Sequence, residues 1–365
     1  MRIALLTEIP TPFRIPLWNA LAAIADVDLR VLLLRELDPR RTYELHKDEW
    51  RFDACVLGGV DRLVRGRWIV LNRRVGHELR RCGPEVIVVG GWNQPAYFQA
   101  ALHARRKRAA LVLWVESTAR DERPGSLPLE RLKRWMVAAA NAFLVPGRAS
   151  AAYLESFGVA PDRIAVAPNA VDERFAENVA AARAGRAEIR AELGLERCCF
   201  LYVGRLAREK GLDVLMRAFA GVPGELVVVG EGPQEHEVTK LAPPGVRLLG
   251  HVRHDDLPRW YAAADAFVLP SRSEPWGMVL NEAASAGLPL VATDAVGAAY
   301  DLIEPGINGL LVEAGDAAAL REALLRLAAD EAFRARAGAR SRQLAEPATP
   351  QAWADAVAEL ARTLV

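Results

Sequence analysis

Cysteine is scarce in this chain: Cys55, Cys82, Cys198 and Cys199 are the four among 365 residues, and none stands in C-x-x-C spacing. This speaks against a disulfide framework or a thiolate metal site and fits buried thiols in a reducing compartment. Long apolar runs are missing as well. The amino terminus MRIALLTEIP reaches Thr7 and Glu8 after too few apolar residues for a signal peptide, and no later stretch approaches the ~18 that a membrane span needs. A cytoplasmic location is expected. Glycine is absent after the first predicted strand, where TEIPTPFRIPLWNAL carries three prolines. A dinucleotide-binding domain would show G-x-G-x-x-G there, so a dehydrogenase is disfavoured. The only D-x-D, Asp26 to Asp28, reads as a turn before a strand, and no metal site is expected. Nor does any recognised nucleic-acid-binding motif accompany the cationic stretches.

What is present is a globular composition, 52% hydrophobic and 25% charged, long enough for roughly two domains. The net charge of +1 hides an asymmetry: up to Ala170 there are 26 Lys and Arg against 18 Asp and Glu, and beyond it 21 against 28. A basic first half suits an anionic acceptor or membrane surface. Short apolar runs (RIALL, LRVLLL, EVIVVG, LVLWV, AFLV, IAVAP) alternate with amphipathic stretches over Pro16 to Ala25, Asn72 to Arg81 and Pro95 to Arg106. That rhythm predicts an α/β fold with a parallel sheet covered on both faces, whose ligands bind at the carboxyl ends of the strands. Between Val60 and Arg81 a cationic segment interleaved with Trp68, Ile69, Val70 and Leu71 has the composition to lie on an anionic bilayer. The cluster Arg105 to Arg108 ends a helix, where positive charge suits the dipole without a membrane.

The most informative stretch is PSRSEPWGMVLNEAASAGLPLVATD, Pro270 to Asp294. It leaves an apolar strand, AFVLP, and enters a helix expected from Gly277 or Met278 to Gly287, about ten residues. Val279, Leu280, Ala283 and Ala286 make its apolar side, and Met278, Asn281, Glu282 and Ser285 a mostly polar stripe. First-turn amides, Gly277 to Leu280, favour an anion such as phosphate. Glu282 follows one turn on, about 5.4 Å, a spacing that suits the hydroxyls of a ribose linked to that phosphate.

Glu274 and Glu282 form an E-x7-E pair around a W-G-x-x-x-x-E core, and this resembles the donor-site signature of the retaining, nucleotide-sugar-dependent glycosyltransferases of family 4. The resemblance implies a GT-B architecture, two Rossmann-like domains facing across a cleft, with Glu282 on the ribose and Glu274 on the donor sugar. GRLAREKG, Gly204 to Gly211, resembles the family's G-R-x-x-x-x-K-G segment, which assigns Arg205 and Lys210 to the donor diphosphate; an arginine fork and a lysine point charge are suited to it. Gly204, Gly277, Met278, Val279 and Leu280 join the implied donor site. ELVVVGEGPQ supplies a G-x-G-P turn like another donor-domain landmark. Nucleobase contacts come mostly from backbone matching Gly250 to Arg253, so His251 and Val252 enter by position, and His251 and His254 are read as structural rather than as metal ligands.

The first domain departs further from the family. TPFR resembles a P-x-P-[FY]-R variant, making Arg14 the acceptor-side candidate, for an acceptor or a phosphate. Glu116, in LVLWVEST, stands where relatives often carry His; a carboxylate there can take a proton from the acceptor hydroxyl or bind a sugar hydroxyl. PNAVD, Pro168 to Asp172, resembles the P-N-G-[VI]-D hinge with Ala170 for Gly, and Gly297 and Asp301 lie near a G-G-x-x-E pattern. The implied domains are 1–172 for the acceptor, 173–345 for the donor, and 346–365 as an amphipathic helix with Trp353, Val357, Leu360 and Leu364 on one face, crossing back to the first. The chemistry implied is transfer of a sugar from a UDP- or GDP-sugar to an acceptor hydroxyl of a glycan, lipid-linked or small molecule. Glu274 acts either as nucleophile or as orienting group. Arg205, Lys210 and the first-turn amides carry the leaving charge, with no metal and no cofactor beyond the nucleotide sugar. A sugar phosphorylase or nucleotide-sugar epimerase on the same architecture, and a non-catalytic nucleotide-sugar-binding subunit, are the alternatives.

Overall fold

The structure, a computed structural model, describes residues 1–37, 46–64, 67–121 and 127–365. Its first half contains β1 (Arg2–Thr7), β2 (Asp28–Leu33), β3 (Asp53–Val56), β4 (Val60–Val64), β5 (Arg67–Leu71), β6 (Val86–Val89), β7 (Ala110–Trp114), β8 (Ala142–Val145) and β9 (Ile164–Val166). Seven of these form a parallel sheet in the order β3-β2-β1-β6-β7-β8-β9. The unbroken apolar runs VIVV, ALVLW and AFLV become its central strands and are buried along their whole length. That is the pattern of a sheet covered by helices on both faces. One face packs on the helix Pro95–Lys107 through Ala96, Tyr97, Ala100 and Ala104; the other packs on the helix Ile15–Ala22 through Leu17, Trp18 and Leu21.

The second half repeats the plan with β10 (Cys199–Val203), β11 (Glu225–Val229), β12 (Val246–Gly250), β13 (Ala266–Leu269), β14 (Leu290–Thr293) and β15 (Gly309–Val312). They lie in the order β12-β11-β10-β13-β14-β15, every pairing parallel, around one large core. In each sheet the order of strands reverses once, at β1/β6 and at β10/β13. Such reversals leave a crevice beyond the strand ends, because the flanking loops run off in opposite directions. All the groups considered below stand at these two crevices.

The connector after Asp172 is two helices, Glu173–Ala184 and Arg186–Leu193, broken at Gly185. The last helix, Pro350–Arg362, starts where Thr349 caps Ala352 N and Pro350 occupies the first turn. It packs on the first domain: Trp353 is fully buried with its ring 5.2 Å from that of Trp114, and Arg362 pairs with Asp26 at 2.7 Å. The cationic segment also differs from a single surface-lying element. β4 and β5 pair as an antiparallel ribbon, followed by the helix Val75–Cys82, while Arg65 and Gly66 lie outside the described residues. Among the described residues no helix is long and apolar enough to cross a membrane, and all four cysteines are free thiols.

Candidate active site

The loop after β10 carries Gly204, Arg205 and Lys210 to the crevice. Close backbone contacts require its glycines: a Cβ on Gly211 would stand 2.1 Å from Pro270 O, and one on Gly230, in the G-x-G-P turn, 2.0 Å from Gly204 O. Gly211 therefore lets the Lys210 loop lie against the end of β13. The hydrogen bonds from Arg272 N and Ser273 N to Glu209 O, at 2.8 and 3.2 Å, hold it there. Arg272 also grips Asp213 at 2.6 and 2.7 Å. That guanidinium, aided by Arg217, holds the Asp213 carboxyl down at about 2 against the opposing effect of burial.

Clamping these two loops brings Lys210 to Glu274, and their largely buried side chains form an ion pair. Arg205 pairs with Glu209, both about half exposed. Each cation thus already has a carboxylate partner. Gly277 adopts φ 99°, a left-handed conformation that favours glycine, and turns the chain into the helix Met278–Ser285. The helix is eight residues long, two fewer than its sequence pattern suggests. Leu280 N makes the first bond, to Gly277 O at 2.8 Å, so the amides of Met278 and Val279 precede the ladder and face the strand-end crevice. One turn on, the half-buried Glu282 accepts a 2.6 Å hydrogen bond from the hydroxyl of the fully buried Tyr261. Burial pushes the Glu282 carboxyl up to about 7, and the Tyr261 bond pulls the other way. His251 is exposed and Val252 half-buried just beyond β12, and His254 stacks on Phe175 at 5.2 Å.

The polar stripe expected on this helix is not one surface. Asn281 is buried and reaches the other domain: its Nδ2 donates to Asn169 O at 3.0 Å, and its Oδ1 accepts from Trp276 Nε1 at 2.9 Å. Asn169 belongs to the P-N-A-V-D segment, so this helix is tied to the domain junction. Its Nδ2 in turn donates to Glu116 Oε1 at 3.2 Å, and Arg14 Nη2 donates to the same oxygen at 3.2 Å. Arg14 Nη1 donates to Thr7 Oγ1 at 3.0 Å, and its guanidinium lies 4.5 Å from the Trp114 ring centroid. Arg14 and Glu116 therefore meet at the ends of β1 and β7. Arg14 stands paired with a carboxylate, not with an open anion site.

The two crevices are pressed together. Asp301 accepts from Arg148 N at 3.1 Å and from its Nε at 3.3 Å, and Arg120 pairs with Asp294. Gly147 admits this contact, since a Cβ there would lie 2.2 Å from Asp301 Oδ2. Gly297 does the same for the loop around Glu274, whose Pro275 O would be 1.9 Å from an added Cβ. Sequence reasoning does not single out Tyr261, and it reads Asn281 and Asn169 only as parts of a polar stripe and of a hinge-like segment, with no contact between them. The one signal that could have found Asn281 is an uncharged amide in a stripe where a solvent-facing helix would carry Lys or Arg. Among the described residues no group of three or more His, Cys, Asp or Glu is placed to hold a metal ion.

Comparison with known proteins bears on the family and the fold. Residues 19–175 match the family model Glycosyltransferase Family 4, and residues 197–330 match Glycosyl transferases group 1. A D-inositol 3-phosphate glycosyltransferase of Xylanimonas cellulosilytica is 35% identical over 68% of this chain and 62% of that protein. The alpha-D-kanosaminyltransferase of Streptomyces kanamyceticus is 33% identical over 65% and 55%. The chain thus spans about three-fifths of the length of these curated relatives. Among solved structures, Anabaena HepE in complex with UDP superposes with a TM-score of 0.79 at 20% identity, covering 100% of both chains. Sucrose-phosphate synthase from Thermosynechococcus elongatus gives 0.76 at 22%, covering 100% of this chain and 99% of that one. These likenesses establish the GT-B fold, and with both family models matched on successive domains, the chain belongs to glycosyltransferase family 4.

Proposed function

We propose that this protein is a retaining glycosyltransferase that moves a sugar from a UDP- or GDP-sugar to an acceptor hydroxyl. The observation that carries the reading is the arrangement at the β10/β13 crevice: Lys210 paired with Glu274, the free first-turn amides of Met278 and Val279, and Glu282 one turn further on. A diphosphate entering there exchanges with the carboxylates for Lys210 and Arg205 and caps the helix; Glu282, oriented by Tyr261, accepts from the ribose hydroxyls. Gly204, Gly277 and Leu280 shape the backbone around it, and the segment of His251 and Val252 borders the base.

In the reaction the acceptor oxygen bonds to the anomeric carbon on the face that the leaving group occupies. The bond from that carbon to the β-phosphate oxygen breaks, its electron pair leaving with the nucleoside diphosphate, and the hydroxyl proton passes to Glu116 or to the departing phosphate. Lys210, Arg205 and the two amides stabilise the charge that develops, in place of a metal ion. Glu274 contacts the donor sugar. Arg14 and Glu116 act on the acceptor side, and the acceptor is a glycan, a lipid-linked molecule or a small molecule. The protein is placed in the cytoplasm. The exposed Leu63 and Val64 of β4 beside Arg62 give it a means of peripheral contact with an anionic membrane.

Calorimetric titration with UDP and GDP, followed by slow hydrolysis of a panel of their sugars with released nucleotide as readout, tests this. One nucleotide should bind, and only its sugars should be hydrolysed. Absence of binding by both nucleotides, or phosphate-dependent sugar cleavage with no nucleotide, sinks the proposal.

A further inference from the structure

The ends of β1, β6 and β7 enclose a cavity of about 130 Å³, lined by Arg14, Trp92, Asn93, Glu116 and Ser117, with Pro275 of the second domain as its far wall. Among its described lining residues only Arg14 and Glu116 are charged, and they are bonded to each other at 3.2 Å. Arg14 is further held by Thr7 and lies over the Trp114 ring. Lys133, whose ammonium lies 5.5 Å from the centroid of the Trp92 ring, is likewise matched, by Glu130 at 3.2 Å. The cavity therefore has no net charge, although it lies in the basic half of the chain.

Its polar groups suit hydroxyls. Glu116 Oε1 takes the bonds from Arg14 and Asn169, while Oε2 accepts none among the described residues and remains available to an O–H donor. Asn93 and Ser117 add groups that both donate and accept, and Trp92 offers an apolar ring against which the C–H face of a sugar packs. A phosphate group in this space would meet the Glu116 carboxylate and, unlike a diphosphate facing the Lys210 and Arg205 pairs, would find one cation among the described lining residues to take from its partner. Like charges brought together in a part-buried site are strongly disfavoured.

Resting on the glycosyltransferase reading, we propose that this cavity is the acceptor subsite and that it selects an uncharged, polyhydroxylated ring over a phosphorylated one. The attacked hydroxyl is directed at Glu116 Oε2. Because Pro275 precedes Trp276 and Gly277 on the donor loop, the same loop that shapes the diphosphate site walls the acceptor, and the subsite is complete only with the domains closed.

The test uses two acceptor pairs that differ by a phosphate: methyl α-D-glucopyranoside against its 6-phosphate, and myo-inositol against inositol 3-phosphate. Each is offered with the donor sugar that the protein hydrolyses. The neutral member of at least one pair should give a kcat/KM about tenfold or more above its phosphorylated counterpart. Glu116→Gln should slow both members and narrow that ratio, because it releases the Arg14 charge. Arg14→Met should widen the ratio, because it leaves Glu116 unopposed. A purely structural role would slow both members equally. Preference for the phosphorylated member, equal use of the two, a response to neither, or a ratio unmoved by both variants overturns the inference. UDP and GDP titrations of the same preparations separate this from the broader reading. Failure of both nucleotides to bind overturns the glycosyltransferase assignment itself; intact nucleotide binding with the wrong acceptor ratio overturns only the neutral-acceptor inference.

Discussion

In the second domain Arg205, Lys210 and Glu274 sit on two loops, Gly204 to Gly211 and Pro270 to Gly277, each running straight into a helix, and Glu282 lies in the second of those helices. In the first domain the polar groups converge from further apart: Arg14 and Glu116 are separated by 102 residues, and Asn169 lies 53 beyond Glu116. The second domain also keeps its glycines where backbones touch, at Gly211, Gly230 and Gly297, whereas Arg14 follows a proline-rich turn without glycine. The contrast has a chemical sense. A diphosphate is bound by cations and backbone amides, so its site is written in short runs of chain. An acceptor ring is bound by side chains from several strands, so its site is written in packing.

Lys210→Ala is the strongest test of this contrast. If Lys210 meets the leaving phosphate, transfer should drop by about 10²- to 10³-fold in kcat while acceptor KM stays near that of the parent. An equal rise in acceptor KM would show that the two halves of the site are not separable. Gly297→Ala comes next. Its Cβ would meet Pro275 O at 1.9 Å, backbone that cannot step aside, so stability should fall by about 1–3 kcal/mol. Acceptor and donor kinetics should both suffer, because one loop serves both sites. A variant with parental melting temperature and kinetics would contradict the closed seam.

The Glu282 environment sharpens the donor side through pH. Its folded value of about 7 stands above the ordinary 4.5. Between those values the folded protein holds a proton that the unfolded chain releases, so this group makes stability fall as pH rises across the window. Nucleotide affinity should run the other way and rise as pH passes about 7, since the carboxylate is the better acceptor for ribose hydroxyls. Glu282→Gln should flatten both slopes and weaken nucleotide binding by about ten- to a hundredfold. Tyr261→Phe, by removing the bond that favours the charged form, should shift the affinity profile to higher pH, which titration calorimetry at several pH values would detect.

The smallest effect is expected at Asp213, which clamps the two donor loops without touching either ligand. Asp213→Asn should lower stability by about 1–3 kcal/mol at neutral pH. Its folded value near 2 lies below the ordinary 3.8, so the contribution is fully present above 3.8 and disappears as pH falls toward 2. Melting curves of parent and variant should therefore converge at low pH. A constant gap would assign the effect to packing.

Much of the proposed donor site was legible before folding. Gly204, Arg205 and Lys210 are reached through the likeness of GRLAREKG to a family segment, and Gly277 before a run of helix formers marks a helix start that a strand end must face. What the pattern misjudged was facing. Asn281 shares the helical stripe of Glu282, yet it is buried because the other domain covers that side, and no periodicity within one helix encodes a neighbour 112 residues away. The cationic segment after Val60 has a composition that suits a membrane surface, and what its composition did not specify is that β4 and β5 pair there as an antiparallel ribbon.

The chain alone determined two parallel-sheet domains, because buried strands must be continuous apolar runs and the intervening amphipathic stretches must cover them. It also carried the helix start at Gly277 and the cations Arg205 and Lys210 on which the proposed diphosphate site rests, because these are local features. Only the tertiary structure decided that Arg14 is neutralised by Glu116, that Tyr261 bonds Glu282, and that Pro275 lines the cavity beside Arg14 and Glu116. Each of these depends on which residues distant segments bring into contact, and distance in space is set by the packing of whole sheets.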